Sequence, residues 1–195
     1  MVQSFYPING VVLHYRVMYG AEQTLVMRDE GTDGDTTAGD GIYTAVIPAG
    51  AYGSGEMVRW YVTTADTLGF QWRAPLFRDP TFSPEYFGTV VVNPTINTAL
   101  PVFHRFIQYA NLAETWTGTR ASVFYLDQFY DNVYVRIRGD TAQWWPKKSY
   151  KFDFNRGHHF RFDPDQPRVE EINVNTTYTD KSYIRTFLAY DTFRD

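Results

Sequence analysis

The chain has 195 residues, no Cys, 18% aromatic residues and a formal net charge of −4. The lack of Cys removes disulfide scaffolds, thiolate nucleophiles and Cys-ligated zinc, and net acidity argues against nonspecific nucleic-acid binding by the whole chain. No run approaches the ~18 apolar residues of a membrane span, and the opening MVQSFYPING lacks the basic and apolar regions of a signal peptide.

Residues 1–97 read as β. Runs at 11–19, 24–28, 42–47 and 56–64 are rich in Val, Ile, Tyr and Thr and are separated by Gly, Pro and Asp clusters at near-regular intervals. A further strand is expected at 87–92, after a stretch from 73 that carries Pro75, Pro80 and Pro84. Asn93-Pro94-Thr95 then reads as a linker, because proline holds its predecessor in extended geometry. Charge changes at the same place: residues 1–97 hold five Arg, no Lys and ten acids, whereas 98–195 hold 13 basic and 12 acidic residues. Two units follow, 1–97 as a small Ig-like or fibronectin-like sandwich and 98–195 as an α+β unit, the whole mainly β.

The second unit opens with a strand at 100–107 and a polar, helical stretch near 109–116. A hairpin is expected from 122–126 and 132–138 about a turn at 127–131. Val133, Val135 and Ile137 alternate with Tyr134, Arg136 and Arg138, a period of two. Residues 148–154 set Tyr150, Phe152 and Phe154 against Ser149, Lys151 and Asp153. Strands are expected at 159–162 and 169–174. Last comes a helix, with Asp180 as N-cap and Ile184, Phe187, Leu188 and Asp191 on one face, which predicts docking on the sheet.

Two stretches could carry chemistry. Around the turn at 139–146, five basic residues (Arg136, Arg138, Lys147, Lys148 and Lys151) face one acid, Asp140, beside Gly139, Thr141 and the pair Trp144-Trp145. Glycine lets backbone N–H groups approach an anion, and Lys or Arg brings charge to phosphate oxygens. The competing reading is a solvated hairpin whose long basic side chains cover aromatic surface. The second stretch is acidic. Asp29, Asp33, Asp35 and Asp40 fall at positions 1, 5, 7 and 12 of an EF-hand-like spacing with Gly34 at position 6, so calcium is a candidate ligand. Position 3 is Gly31, and strands flank the loop; turn-capping by the Asp side chains is the alternative. The four His residues are scattered, and no P-loop, dinucleotide-binding, zinc-protease or nucleophile-elbow motif is present.

Arg138-Gly139-Asp140-Thr141 followed by Pro146-Lys147-Lys148-Ser149-Tyr150-Lys151 resembles the CotH (spore-coat protein H) kinase family. Leu100-Pro101-Val102-Phe103-His104 is similar to that family's opening strand, and Asp180-Lys181-Ser182-Tyr183-Ile184-Arg185 to its first helix. Where the family has Asn-Ser-Ser or Asn-Ser-Thr after Arg-Gly, this chain has Asp140-Thr141-Ala142. Asp29 to Asp35 with Gly39-Asp40-Gly41-Ile42-Tyr43-Thr44 looks like a turn of the Ig-like modules that precede such domains. The resemblance implies a secreted or cell-surface atypical kinase that moves the ATP γ-phosphoryl to Ser/Thr of a protein substrate with Mg or Mn. Its kinase-type small lobe would be present here and its catalytic lobe would lie beyond this chain. Arg138, Gly139, Thr141, Lys148 and Lys151 would then meet the nucleotide. Parity puts the two lysines on opposite faces: burial favours Lys151, and the motif fits Lys148 equally. The alternative is a noncatalytic surface or adhesion module that binds carbohydrate or protein.

Overall fold

The computed structural model describes residues 6–192 apart from Phe82 and Tyr183, so Tyr183 of the 180–185 motif lies outside the described residues. It is mainly β, with two five-stranded antiparallel sheets and a C-terminal helix.

The first sheet is built from β1 (Ile8–Val17), β2 (Gln23–Met27), β3 (Met57–Asp66), β4 (Gln71–Ala74) and β5 (Phe87–Val90). Its order is β2-β1-β3-β4, and β5 also pairs with β3. The long β3 serves both: Val62 to Ala65 pair with β4, and Met57 to Trp60 with β5. β4 is not among the strands expected from sequence; it runs into the proline-bearing stretch that starts at 73 and ends before Pro75, since proline has no N–H for the ladder. The strand expected at 42–47 supplies one bridge, Arg28 to Thr44. The acidic loop before it explains this, because Gly39 and Gly41 adopt positive φ and Asp29 gathers their amides into a turn. Among the described residues all five strands of this half lie in one sheet, so the second layer expected of a sandwich is not made by the half's own strands.

The second sheet is a meander in sequence order, β6 (His104–Ile107), β7 (Thr119–Tyr125), β8 (Gln128–Arg138), β9 (Ser149–Asp153) and β10 (Glu171–Val174), with α1 (Ala110–Ala113) between β6 and β7. The turn expected at 127–131 is only two residues long. Tyr125 pairs with Gln128, while Leu126 and Asp127 sit at φ 46° and 57°. Positive φ at both central residues is the type I′ turn whose twist matches the strands it joins. The strand expected at 159–162 is reduced to a bridge from Phe160 to Val169.

A bulge decides which way β8 faces. Ala121 pairs with Val133 and Val123 with Tyr130, so Ser122 opposes both Asp131 and Asn132. Asn132 takes φ 53°, an αL position that Asn tolerates better than most residues. The extra residue puts Tyr130 on the face of Val133 and Val135, in a core with Val123, Phe152, Phe154 and Phe160. It turns Asp131 to the opposite face, toward the first sheet.

There Asp131, 1% exposed, is a buried joint between the sheets. Its carboxylate accepts from the Ser122 hydroxyl at 2.8 Å and from the backbone N–H of Glu85 and Tyr86 at 3.0 and 2.9 Å. It also pairs with Arg59 of β3 at 3.4 Å. The Arg59 guanidinium lies over the rings of Tyr19 and Tyr86 at 4.5 and 4.6 Å. Nearby, Gly88 of β5 backs onto Phe129 of β8 so closely that a Cβ would fall 2.4 Å from the ring.

α2 (Arg185–Thr192) does not dock on the sheet as its apolar stripe predicts. None of its described residues is buried, and Phe187 is 65% exposed. The core of the second sheet is packed without it: the rings of Phe103 and Phe160 meet at 5.9 Å, with Tyr125, Val169 and Ile172 alongside. The helix starts at Arg185, so Asp180 is not the N-cap expected of it; from the turn ahead its carboxylate accepts from the Ser182 hydroxyl at 2.6 Å and from the Arg185 N–H at 3.1 Å.

Candidate functional site: the cationic turn

β8 and β9 present the basic residues as their alternation requires. Val133, Val135 and Ile137 are buried, and Arg138 at the end of β8 is exposed. Arg136 and Lys151 are opposite one another in the ladder, as are Arg138 and Ser149. Gly139, at φ 87°, starts the connection, and a 3-10 turn at Thr141–Trp144 completes it. A side chain at position 139 would be strained, so this glycine is required by the turn itself.

The two lysines part company. Lys151 points to the face of Asp153 and is tied there, 3.0 Å from Asp153 Oδ1 and 2.6 Å from Glu171 Oε2 on β10. Hydrogen bonding to Glu171, then to Asp153, raises its pKa above the ordinary lysine value. Lys148 points the other way and lines a cavity of about 310 Å³, whose wall includes Arg105, Glu114, Lys147, Tyr150 and Asn175. Its ammonium donates to the Gln143 carbonyl at 2.7 Å, folding the turn back over it. Arg105 reaches in from the far edge strand β6, its guanidinium 4.8 Å from the centre of the Tyr150 ring. The Tyr150 hydroxyl donates to Glu114 at 3.4 Å, and burial followed by the charge of Glu114 pushes the phenol up.

Three cations and one carboxylate on the wall make this cavity fit for an anion of several charges, with hydrogen-bond donors on more than one side. Of the residues assigned from sequence, Lys148 is on the wall. Gly139 and Thr141 shape the turn, and Arg138 donates to Asn175 Oδ1 at 2.7 Å. Asp140, where the family has Asn, is not among the lining residues. Sequence reasoning missed Arg105, Glu114 and Asn175, which are far apart along the chain and meet only once the sheet is formed; no local pattern marks them.

The acidic loop of the first half gathers Asp29, Asp35 and Asp40, with carboxylate oxygens within 4.8 Å of one another, and leaves out Asp33. Backbone amides already occupy them. Asp29 accepts from Gly39, Asp40 and Gly41, Asp35 from Gly31 at 2.6 Å, and Asp40 from Ile42 at 2.8 Å. Such bonds are what turn-capping by Asp requires.

Between the sheets lies a smaller cavity, about 160 Å³, lined by Arg16, Arg59, Arg120, Glu85 and Asp131 among others. Its basic groups are committed: Arg59 to Asp131, Arg16 to Glu22, and Arg120 to the carbonyls of Thr81 and Asn132. Of the histidines, His14 bonds Thr63 and His158 donates to the Phe129 carbonyl, both within the fold. No helix among the described residues is long and apolar enough to cross a membrane.

Residues 135–195, about a third of the chain, match the family model described as CotH kinase protein. No curated protein and no solved structure matches. The matched span begins in β8 and takes in the cationic turn, Lys148, Lys151, β10 and α2, so the back of this chain is similar to CotH kinases. At the level of that family, ATP and a divalent metal are used.

Proposed function

We propose that the cavity under the 139–146 turn is a polyphosphate-binding site and that the chain is the nucleotide-binding part of a CotH-like kinase. One observation carries this reading: the span matched by the family model holds the turn whose Lys148, with Lys147 and Arg105, lines the cavity. Lys148 is the principal phosphate contact, free to exchange the Gln143 carbonyl for a phosphate oxygen. Arg105 offers a planar fork from the opposite wall, and Gly139 allows the backbone to come close. The volume suits a phosphate chain rather than a whole nucleotide, so the base and ribose lie outside the cavity. ATP with Mg or Mn supplies the transferable phosphoryl group. On the described cavity wall Glu114 is the one carboxylate available to such an ion. The phosphoacceptor is a Ser or Thr hydroxyl of a protein, and the setting is extracellular or the cell surface. In this reading residues 1–97 are an accessory β unit.

The test is binding of ATP and of inorganic tripolyphosphate, each with and without Mg or Mn, to the whole chain by calorimetry. Lys148→Ala is expected to weaken both ligands by about tenfold or more, equivalent to about 1.4 kcal/mol. Lys151→Ala is expected to change affinity by about twofold at most, because its charge is already spent on Asp153 and Glu171. Loss of affinity on Lys151→Ala alone would move the anchor to the other face. Unchanged affinity in both would remove the nucleotide reading and favour a noncatalytic surface module that binds carbohydrate or protein.

A further inference from the structure

The turn is not free-standing; the segment after β10 braces it at three points. Arg138, the last residue of β8, donates to Asn175 Oδ1 at 2.7 Å. The Thr176 N–H donates to the Ser149 hydroxyl at 2.9 Å, at the first residue of β9. The Trp145 ring lies 6.1 Å from that of Tyr178. Both ends of the turn and its aromatic corner therefore touch 175–178, and Asn175 and Thr176 also wall the cavity. Arg138, by contrast, is not among the lining residues: its guanidinium is spent on the strut.

We propose that Asn175 is a positioning residue for the anion site, acting through Arg138 to fix where the turn holds Lys147 and Lys148. The proposal rests on the polyphosphate reading for its ligand but makes a separate claim about what orders the turn. A guanidinium hydrogen-bonded to a side-chain carbonyl is a charge-assisted contact, stronger than a neutral one, and here it closes the base of the hairpin loop. Without it the loop must be ordered by the ligand at the moment of binding, which lowers affinity without removing any contact to the ligand. The role expected of Arg138 from sequence, contact with phosphate, is thereby replaced by a structural one at the same site.

The experiment is a double-mutant cycle on the whole chain with tripolyphosphate as probe. Asn175→Ala and Arg138→Ala are each expected to weaken binding by about fivefold, and the double variant by about the same factor as either single one. Additive losses would mean that each residue meets the ligand by itself, and would overturn the proposal. The salt dependence of affinity gives a second readout. Losing a charge that touches the anion flattens it, whereas losing a strut leaves its slope unchanged, so Arg138→Ala should keep the wild-type slope. Hydrogen exchange without ligand separates this claim from the polyphosphate reading. Asn175→Ala should speed exchange at 139–146 and leave β7 unchanged. Unaltered exchange in the turn overturns the strut even if the anion binds, and faster exchange upholds it even if tripolyphosphate does not.

Discussion

Lys148, just before β9, and Lys151 within it stand three residues apart, and that odd spacing sends them to different chemistry. Parity predicts opposite faces, and the structure finds them there; parity does not say which face holds the cavity. Lys151 meets Asp153 and Glu171, so its ammonium is stabilised in the folded state. The folded value lies above the ordinary 10.5, and the sign follows from that. The contribution of the ion triad to stability is complete below the unfolded value and disappears as pH rises through the folded one. In an NMR titration the Lys151 amine is expected to deprotonate above 10.5, and Glu171→Gln should bring it back toward the ordinary value. A midpoint at or below 10.5 in the unmodified protein would mean that the triad is not kept in solution.

Among the elements, the β7–β8 hairpin shows what alternation can and cannot foretell. The strict period from Val133 to Arg138 fixes that half of β8, and its buried and exposed residues follow it. The turn does not follow from pattern, because Leu126-Asp127 lacks the Asn-Gly or Asp-Gly signature that would mark a two-residue connection. Its geometry is imposed by the pairing on either side, and a leucine at φ 46° bears the strain. Leu126→Asn with Asp127→Gly is expected to raise stability by about 1 kcal/mol, measured by urea unfolding, because both residues then suit αL. No gain would mean that the packing of the Leu126 side chain is worth as much as the relief of strain. The bulge at Asp131-Asn132 is equally silent in sequence, since a polar pair in a strand reads as a turn. The helix errs the other way: a clear apolar stripe stands at helical spacing, but none of its described residues is buried. A stripe says what an element can bury, not whether a partner surface remains open.

At the scale of the whole molecule, one buried carboxylate with four partners, Asp131, stands among the contacts that join the two sheets. Asp131→Ala would strand Arg59 and leave the amides of Glu85 and Tyr86 without their acceptor. Breaking a buried pair from one side costs about 3–5 kcal/mol, so a loss of at least about 3 kcal/mol in chemical denaturation is expected. A loss under about 1 kcal/mol would show that Asp131 does not hold the sheets together. The change of charge near residue 97 lies between the last strand of one sheet, ending at Val90, and the first of the other, starting at His104. It gives no hint that Arg59 and Asp131, 72 positions apart, would meet.

Local order and composition are properties of neighbouring residues, and the amino-acid sequence by itself determined them: a mainly β chain, the positions of most strands, which residues alternate inward and the concentration of basic groups around Gly139. Tertiary structure alone decided which lysine faces a cavity, what Arg138 holds, why Asp131 is buried and where α2 is left. Each of these depends on residues brought together across strand pairings and sheet packing, and no periodicity along a single strand records its neighbour in space.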